Sequence, residues 1–450
     1  MLSAFRDSLK IPELRDRIIF TFGLVAVCRL GGNIPVPGVN AQVLSDFIQQ
    51  IEKTTGGGVL ALFNLFSGGA IQECAVFALG IMPYISATII LQLLTPVIPA
   101  LERMAREGES GRQTLIQYGR YMTVALCFIQ GWILAYGLEN PASIFGQDLD
   151  IVAQPGLGFK VLAVTCFTAG TMLLMWFGEQ ITERGIGNGI SLIITVNILA
   201  RLPAAIGQAY SMFFPGAGIE RQYNLGVGIL LVVMIPVIVM SIIAITQAER
   251  KIPVQYAKRV VGRRMYGGQN TFLPLRINYA GVMPIIFADA LMMFPARLLG
   301  MIKLEFFARV SRALSPDTWL YFALYAVLIF FFSYFWVATQ FNPVQIADDL
   351  KRYGGYIPGV RPGKPTADYL DFVMTRITMA GAIFLTVIAA IPRFLWRNLD
   401  IPYGVASFFG GTGLLIIIGV MLDTMRQVES HLLMRHYDGF LRRGKLKGRF

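Results

Sequence analysis

Few side chains in this sequence could carry out acid–base or nucleophilic chemistry. Both histidines, His431 and His436, lie near the C-terminus, so none is available in the apolar part of the chain for a triad, a zinc site or a haem. The Gly-rich stretch GIGNGIS at 185–191 lacks the Lys-Ser/Thr ending of a phosphate-binding P-loop and the strand context of a dinucleotide-binding turn. The sequence therefore predicts no ATP hydrolysis and no enzymatic activity.

The cysteines also lack the spacing of a metal or redox site. No two of them form a Cys-x-x-Cys pair, and three lie inside apolar runs, which is typical of buried apolar thiols. We therefore expect neither a metal ion nor a cofactor. The four cysteines are Cys28, Cys74, Cys127 and Cys166.

Asp289 is the main acidic residue in the middle of an apolar segment, MPIIFADALMMFP at 283–295. A carboxylate at membrane depth is a candidate functional group, because it is costly to bury there. Ion-coupled transporters usually carry several such groups near broken helices, which makes a solute transporter the alternative function. A single carboxylate favours instead a side chain that faces water in a vestibule.

The composition indicates that membrane-spanning helices position these residues. Of 450 residues, 55% are apolar and 15% are charged, and the mean hydropathy is +0.59, whereas a soluble domain has about 25% charged residues. At about 20 apolar residues per span, the length accommodates one bundle of about ten spans. The ten apolar runs are 18–38, 76–99, 118–138, 157–178, 186–206, 225–247, 274–298, 318–341, 372–392 and 405–425.

The basic residues predict the orientation of the chain. If the N-terminus is inside, six connecting or terminal segments face the cytoplasm, and they hold 28 of the 39 Lys and Arg residues. The positive-inside rule therefore favours cytoplasmic N- and C-termini. Residues 1–17 would be an amphipathic N-terminus and 426–450 a basic tail. The six segments are 1–17, 99–120, 179–185, 249–276, 342–376 and 426–450.

The segment from 59 to 99 is too long for a single crossing, since a helix of this length would extend about 60 Å, twice the hydrocarbon thickness. It contains FNLFSGGA at 63–70, whose polar residues and glycines are unsuited to a lipid-facing helix. We predict a half-helix, a break at Gly68-Gly69 and a full span from about 76. Irregular backbone at membrane depth requires surrounding protein or a water-filled cavity. The alternative is a helix on the extracytoplasmic surface.

Two predicted cytoplasmic loops, 249–276 and 342–376, are long, basic and rich in turn residues. Topology requires only a few positive charges, so loops of this size indicate a docking surface, to which Tyr266 and Tyr356 could add contact area. A phosphate-rich partner suits it, because neutralising phosphates releases counterions. Ribosomal RNA and anionic lipid are both candidates.

Several long motifs follow one another along nearly the whole chain. Besides FNLFSGGA they are FALGIMPYISATIILQLL (77–94), EGESGR (107–112), ERGIGNGIS (183–191), VQYAKRVVGRR (254–264), LPLRINYAGVMP (273–284) and NPVQIADDLKRYGGYIPGVRPG (342–363). Together they resemble the SecY family of protein-conducting channels. The resemblance implies an all-α polytopic membrane protein with ten transmembrane helices. Its two pseudo-symmetric five-helix halves, 18–206 and 225–425, would enclose an hourglass pore with a re-entrant plug.

The resemblance also implies a site. An aliphatic ring, with Met283 beside it, would form the waist of the pore, and the plug would lie at about 60–74. A lateral gate would open between spans two and three on one side and spans seven and eight on the other. The ring would be Ile81, Ile85, Ile190, Ile194, Ile286 and Ile416. The plug would include Phe63, Asn64, Phe66, Ser67, Gly68 and Gly69, and the polar gate residues would be Gln92, Gln130 and Asn278. The docking residues would be Lys258, Arg259, Arg263, Arg264 and Arg361. Asp289 departs from the small or neutral residue expected at its position.

The implied function is passive conduction of unfolded polypeptide across the membrane, with lateral release of apolar segments into it. A SecA-type motor ATPase or the ribosome would supply the energy. Further implied partners are SecE-type and SecG-type membrane subunits, signal-sequence-bearing preproteins and anionic lipids. The implied location is the cell (inner or plasma) membrane.

Overall fold

The computed structural model describes residues 11–55, 64, 66–141, 150–214, 225–256, 259–261, 264–266, 270–289, 291–292, 318–399, 401–406, 408 and 411–443. Within these ranges the chain is mostly helical. The named helices are α1 (Pro12–Gly31), α2 (Ala41–Thr55), α3 (Met82–Leu94), α4 (Pro99–Arg106), α5 (Glu109–Glu139), α6 (Leu157–Arg184), α7 (Gly189–Ala200), α8 (Leu202–Phe213), α9 (Leu225–Gln247), α10 (Trp319–Gln340), α11 (Pro343–Arg352), α12 (Lys364–Leu399), α13 (Tyr403–Ala406) and α14 (Gly411–Arg443). Residues 283–289 are also helical.

Seven helices in the described part of the chain are long and apolar enough to cross a membrane. An eighth candidate is the pair α3 and α4, which is bent by 99° at the break between them. The protein is therefore a multi-pass membrane protein. The seven candidates are Glu109–Glu139, Leu157–Arg184, Gly189–Phe213, Gly226–Gln247, Trp319–Arg352, Lys364–Leu399 and Gly411–Leu432.

Two predicted runs are not among these candidates, and ten spans stays a prediction. The first, 18–38, coincides mostly with α1, a 20-residue helix whose charged residues lower its hydropathy. The seventh was expected to begin at 274. Strand structure instead continues to Arg276, turns occupy 277–282, and the helix begins at 283. Residues 293–317 lie outside the described residues.

The spans pack closely where small residues let two backbones approach. Gly189 at the start of α7 faces Gly178 of α6, and a Cβ at Gly189 would overlap the Gly178 carbonyl oxygen. Gly131 of α5 likewise faces the backbone of Val164 in α6. A Cβ on Gly131 would lie 3.6 Å from Val164 Cα. Such contacts are typical of membrane helices, whose association depends on close packing rather than on the hydrophobic effect.

The basic loops contain strands, which the sequence analysis did not predict. They are β1 (Glu249–Tyr256), β2 (Arg259–Val261), β3 (Arg264–Tyr266), β4 (Asn270–Arg276) and β5 (Gly355–Tyr356). Strand β1 pairs antiparallel with both β4 and β5, and β2 pairs with β3. Because β5 comes from the second loop, the two predicted loops share one sheet.

Two apolar clusters hold this architecture together. The larger one runs through both predicted halves and includes residues of α1, α3, α6, α7, α10 and α14. A second cluster packs β1 and β4 against α12, through Ile252, Val254 and Leu275 on the sheet and Leu370 and Met374 on the helix. The sheet is therefore anchored to the membrane bundle.

Candidate functional site

A cavity of about 490 Å³ lies between α7, α14 and the segment that leads into the helix at 283. Polar side chains line the part near the N-terminus of α7 and the later part of α14. Aliphatic side chains line the part deeper along the same helices. The polar lining residues are Asn188, Ser191, Thr246, Arg276, Asn278, Asp423, Thr424, Arg426 and Gln427, and the apolar ones include Ile194, Val282, Met283, Ile286, Leu415, Ile416 and Val420.

A contact between the loop before α7 and helix α14 lies beside the cavity. The Gly187 N–H donates to Gln427 Oε1 at 3.0 Å. Gly187 has a φ of +84°, and a Cβ there would lie 3.1 Å from Thr424 Oγ1. A left-handed backbone without a side chain is what glycine allows, so this glycine lets the loop rest directly on α14.

Three of the six predicted ring residues, Ile194, Ile286 and Ile416, line this one cavity, with Met283 beside them. They come from three different helices and are each at most 6% exposed. Ile81 and Ile85 are buried in the same apolar cluster. The deeper part of the cavity is therefore lined by methyl and methylene groups from three helices.

Ile190 lies differently from the other predicted ring residues. It is half-buried, and a Cβ at Gly178 of α6 would lie 2.9 Å from Ile190 Cγ1. It is not among the residues that line the cavity. Its place in the ring therefore stays a prediction.

The described residues of 64–81, which we call the plug segment, are irregular and largely buried. Asn64 is 0% exposed, Phe66 is 2% and Ser67 is 5%; the predicted plug residue Phe63 lies outside the described residues. Apart from the helical residues 64, 66 and 67, turns occupy most of the segment. Buried irregular backbone is the arrangement that the re-entrant interpretation requires.

The break in the plug segment lies at the two predicted glycines. Gly68 has a φ of +68° and Gly69 a φ of +94°, values that most residues with a Cβ avoid. The following helix does not begin at about 76, as expected from the sequence, but at Met82. Contacts with neighbouring chain segments hold the intervening turns: Val36 N–H donates to Cys74 O at 3.0 Å, and Val76 N–H donates to Ile34 O at 2.9 Å.

Side chains from three helices donate hydrogen bonds to backbone carbonyls of the plug segment. Arg29 Nη1 of α1 donates to Gly68 O at 3.1 Å. Asn197 Nδ2 of α7 donates to Phe66 O at 3.1 Å. Thr171 Oγ1 of α6 donates to Gly80 O at 3.1 Å. The sequence analysis missed these three donors.

A signal for one of these donors was present in the sequence. Asn197 stands alone in the apolar stretch SLIITVNILA at 191–200, and a polar side chain in a membrane span usually hydrogen-bonds across helices. Arg29 and Thr171 carry no comparable signal, since an Arg near a helix end and a Thr within a span are both common.

The predicted gate residues lie in different surroundings, and the gate stays a prediction. Asn278 is buried and lines the cavity, but it lies in the turn before the helix at 283 rather than on a span. Gln92 on α3 is exposed. Gln130 on α5 is partly buried, and its Oε1 has no hydrogen-bond partner among the described residues. Neither glutamine lines the cavity.

Asp289 does not face a vestibule, contrary to the prediction from the sequence. It is 3% exposed and lies between helices, where the side chains of Tyr325 and Thr412 approach it and Arg393 provides the nearby positive charge. The guanidinium carbon of Arg393 lies 4.8 Å from the ring centroid of Tyr321. The carboxylate therefore lies between the helix at 283 and three other helices. It does not line the cavity.

Two of the predicted docking residues lie in the two-stranded sheet of β2 and β3. Arg259 begins β2 and Arg264 begins β3, while Lys258 and Arg263 lie outside the described residues. Arg361 is exposed, and its backbone carbonyl accepts a hydrogen bond from Thr366 Oγ1 at 2.8 Å. The two loops that carry these basic residues, about 100 positions apart in the sequence, are joined by the pairing of β1 with β5.

Solved structures with the same fold define the class of this protein, a polytopic α-helical membrane fold. A structure of a protein-conducting channel matches with a TM-score of 0.59 and 16% identity, covering 96% of this chain and 94% of that one. Canine Sec61, in a ribosome-channel complex from the endoplasmic reticulum, matches with a TM-score of 0.57 over the same shares of the two chains, also at 16% identity. At such identities the likeness shows the fold alone.

Sequence comparison then assigns the family. The SecY family model matches residues 75–425. The protein translocase subunit SecY of Thermotoga maritima is 43% identical over the full length of both chains. That of Chlamydia muridarum is 41% identical, again over both full lengths. The chain belongs to the SecY family.

Proposed function

We propose that this protein is the pore-forming subunit of a protein translocase and conducts unfolded polypeptide passively across the membrane. The observation that carries the proposal is the cavity whose apolar part is lined by Ile194, Ile286 and Ile416, in the same apolar cluster as a buried segment of irregular backbone. A narrow constriction of apolar side chains excludes water and ions by dewetting. The same methyl groups bind no passing side chain, so an extended polypeptide can slide between them.

The ring and the plug segment have complementary roles in this proposal. The ring closes around a polypeptide during transport, because β-branched side chains are stiff and keep the opening narrow. The plug segment closes the channel when no polypeptide is present. Its burial supports this role, since Phe66 lies in the same apolar cluster as Ile194 and Ile286.

Apolar segments of the substrate leave sideways through a gate between spans two and three and spans seven and eight. Whether a segment enters the lipid or crosses the membrane depends on the summed transfer free energy of its residues. At the membrane centre, Leu or Ile gains about 0.3–0.6 kcal/mol and Lys or Arg costs about 2.5–3.5 kcal/mol. Gln92, Gln130 and Asn278 are the proposed polar residues of the gate.

The energy comes from a partner, either a SecA-type motor ATPase or a translating ribosome. The two basic loops are the proposed docking surface, through Lys258, Arg259, Arg263 and Arg264 in the first loop and Arg361 in the second. The name of the Thermotoga maritima relative, a translocase subunit, supports an assembly with SecE-type and SecG-type membrane subunits. The canine ribosome-channel complex supports docking of a ribosome. Signal-sequence-bearing preproteins and anionic lipids complete the proposed partners.

The proposed location is the inner (plasma) membrane, with both termini in the cytoplasm. The positive-inside bias of the Lys and Arg residues supports this orientation. The proposed units are a cytoplasmic N-terminus at 1–17, a first half at 18–206, a second half at 225–425 and a basic tail at 426–450. In this orientation the polar part of the cavity faces the cytoplasm.

An ion-coupled solute transporter is not favoured. It would need Asp289 to be accessible to an ion or solute, whereas this side chain is 3% exposed and lies between helices, near Arg393. No residue set for covalent or acid–base catalysis motivates an enzymatic alternative, and the proposed channel leaves ATP hydrolysis to its partner.

Reconstituted translocation tests the proposal. The purified protein, with its SecE-type and SecG-type partners, is placed in liposomes with a SecA-type ATPase, ATP and a preprotein. We expect preprotein to become protected from added protease only when ATP and motor are both present. A preprotein with its signal sequence deleted is the matched control. Equal protection of both substrates, or of neither, would refute the function.

A further inference from the structure

Two side-chain donors meet the plug segment at one place. Arg29 Nη1 and Asn197 Nδ2 donate to the carbonyls of Gly68 and Phe66, each at 3.1 Å. A Cβ on Gly68 would lie 2.7 Å from Arg29 Nη1 and 3.0 Å from Asn197 Cα. Helices α1 and α7 therefore approach the same turn of the plug segment. A residue larger than glycine at position 68 would clash with both of them.

These hydrogen bonds are in a position to determine whether the plug segment stays in place. The segment is mostly irregular, so its carbonyls depend on tertiary partners rather than on a helix ladder. Asn197 is 7% exposed and Phe66 is 2% exposed, so water does not readily replace either partner while the channel is closed. A buried carbonyl that loses its donor is destabilised by its own desolvation.

The same helix also carries part of the constriction. Asn197 follows Ile194 by three residues in α7, about one helical turn, and Ile194 lines the cavity. A movement of α7 that widens the constriction would therefore also shift Asn197 relative to Phe66 O. Once the channel is open and wet, water can satisfy both groups, so the exchange is reversible.

We infer that Arg29 and Asn197 form a latch that holds the plug segment in the closed channel and couples its release to the movement of α7. This inference rests on the proposed function, since it concerns the resting state of the same pore. Both residues are positioning residues: they act on the plug segment and not on the substrate.

The first test is ion conductance in planar bilayers without substrate. Asn197→Leu keeps the side-chain size and removes the donor on α7. Arg29→Met removes the other donor, on α1. We expect each variant to raise the resting open probability about tenfold, as the loss of a donor to a buried acceptor predicts. Thr195→Val is the matched control, because the Thr195 hydroxyl donates to Ser191 O within α7 itself, at 2.8 Å. It should conduct like the wild type.

A second readout follows the plug segment directly. Cys74 lies within it and is 2% exposed. In a protein whose other three cysteines are replaced by alanine, a water-soluble maleimide should label Cys74 about tenfold faster when Asn197 or Arg29 is substituted, by the same reasoning. This measurement works in isolated membranes, so it does not require purification of the variants.

Deletion of residues 64–70 separates a latch from a general loss of stability. In that background Asn197→Leu should add no further conductance, because the acceptor is gone. If Asn197→Leu raised the conductance equally with and without residues 64–70, the latch would be overturned. So would wild-type conductance and labelling in variants that still translocate preprotein. If the wild type fails to translocate at all, the proposed function is wrong, whereas the latch is still decided by conductance and Cys74 labelling.

Discussion

At the scale of single residues, the ring isoleucines can be tested for a seal. Ile286→Asn or Ile416→Asn puts an amide at the constriction, where it would hold water and let ions pass. We expect both variants to insert normally and to conduct ions without substrate in planar bilayers. Ile388→Asn is the matched control: Ile388 is 3% exposed in the same apolar cluster but does not line the cavity. Silent bilayers for both ring variants, at normal protein levels, would contradict the assignment.

The buried carboxylate predicts a different kind of effect. Removing Asp289 leaves Arg393 without its counter-charge, and breaking a partly buried pair is more costly than replacing it whole. We expect Asp289→Leu to lower the free energy of unfolding by about 2–3 kcal/mol. Adding Arg393→Met should recover part of this loss. Thermal unfolding in detergent measures both. A double variant no more stable than the single one would show that the two charges are not coupled.

The contrast between the ring and Asp289 shows which residues can be assigned from sequence. Motif position was enough to predict that Ile194, Ile286 and Ile416 lie together, because each stands at a fixed point on a helix. Asp289 was expected to face water, since its partners at 325, 393 and 412 are far away in sequence. Only the packing of the helices reveals them.

At the scale of elements, the two basic loops allow a charge-reversal experiment. Arg263→Glu with Arg264→Glu, or Arg361→Glu alone, should weaken docking of the motor or the ribosome at least tenfold, because like charges at an interface cost several kcal/mol. Stability should change by only about 0.5 kcal/mol, as for other exposed substitutions. Arg103→Glu, on the exposed helix α4, is the matched control. Affinity for the partner is compared with the amount of protein in the membrane. Normal binding by both variants would leave these charges with a role in topology alone.

Long apolar helices were predictable, and the short elements between them were less so. The break at Gly68-Gly69 was correctly located, because two adjacent glycines disfavour a helix. The delay of α3 to Met82 depends on contacts of the plug segment with α1, α6 and α7, which a local pattern does not contain. Strand β1 was missed for a related reason: Ile252 and Val254 alternate with exposed residues, but Lys, Arg and Pro surround them. Part of its pairing is with residues 355 and 356, about 100 positions away.

At the scale of the whole molecule, the topology is the most general prediction. Reporter fusions after positions 215 and 310 should face the outside, and fusions after 265 and 355 the cytoplasm. The physical reason is the concentration of Lys and Arg in the predicted cytoplasmic segments. Enzymatic reporters active on only one side of the membrane measure each position. An opposite result at either pair would exclude the ten-span arrangement, for which α1, the α3–α4 pair and the helix at 283 must each count as a span.

The shared sheet has a mechanical consequence. Strand β1 follows α9 after a single residue, and Ile277 N–H donates to Ala248 O at 2.9 Å at its base. Strand β4 ends six residues before the helix at 283, and β5 follows α11 closely. A torque applied to the sheet by a bound partner therefore reaches both sides of the second half through short, hydrogen-bonded connections. Because these connections are short, a force exerted by a bound motor would also strain the helices that line the proposed channel. Docking of the partner and opening of the channel would then be mechanically coupled.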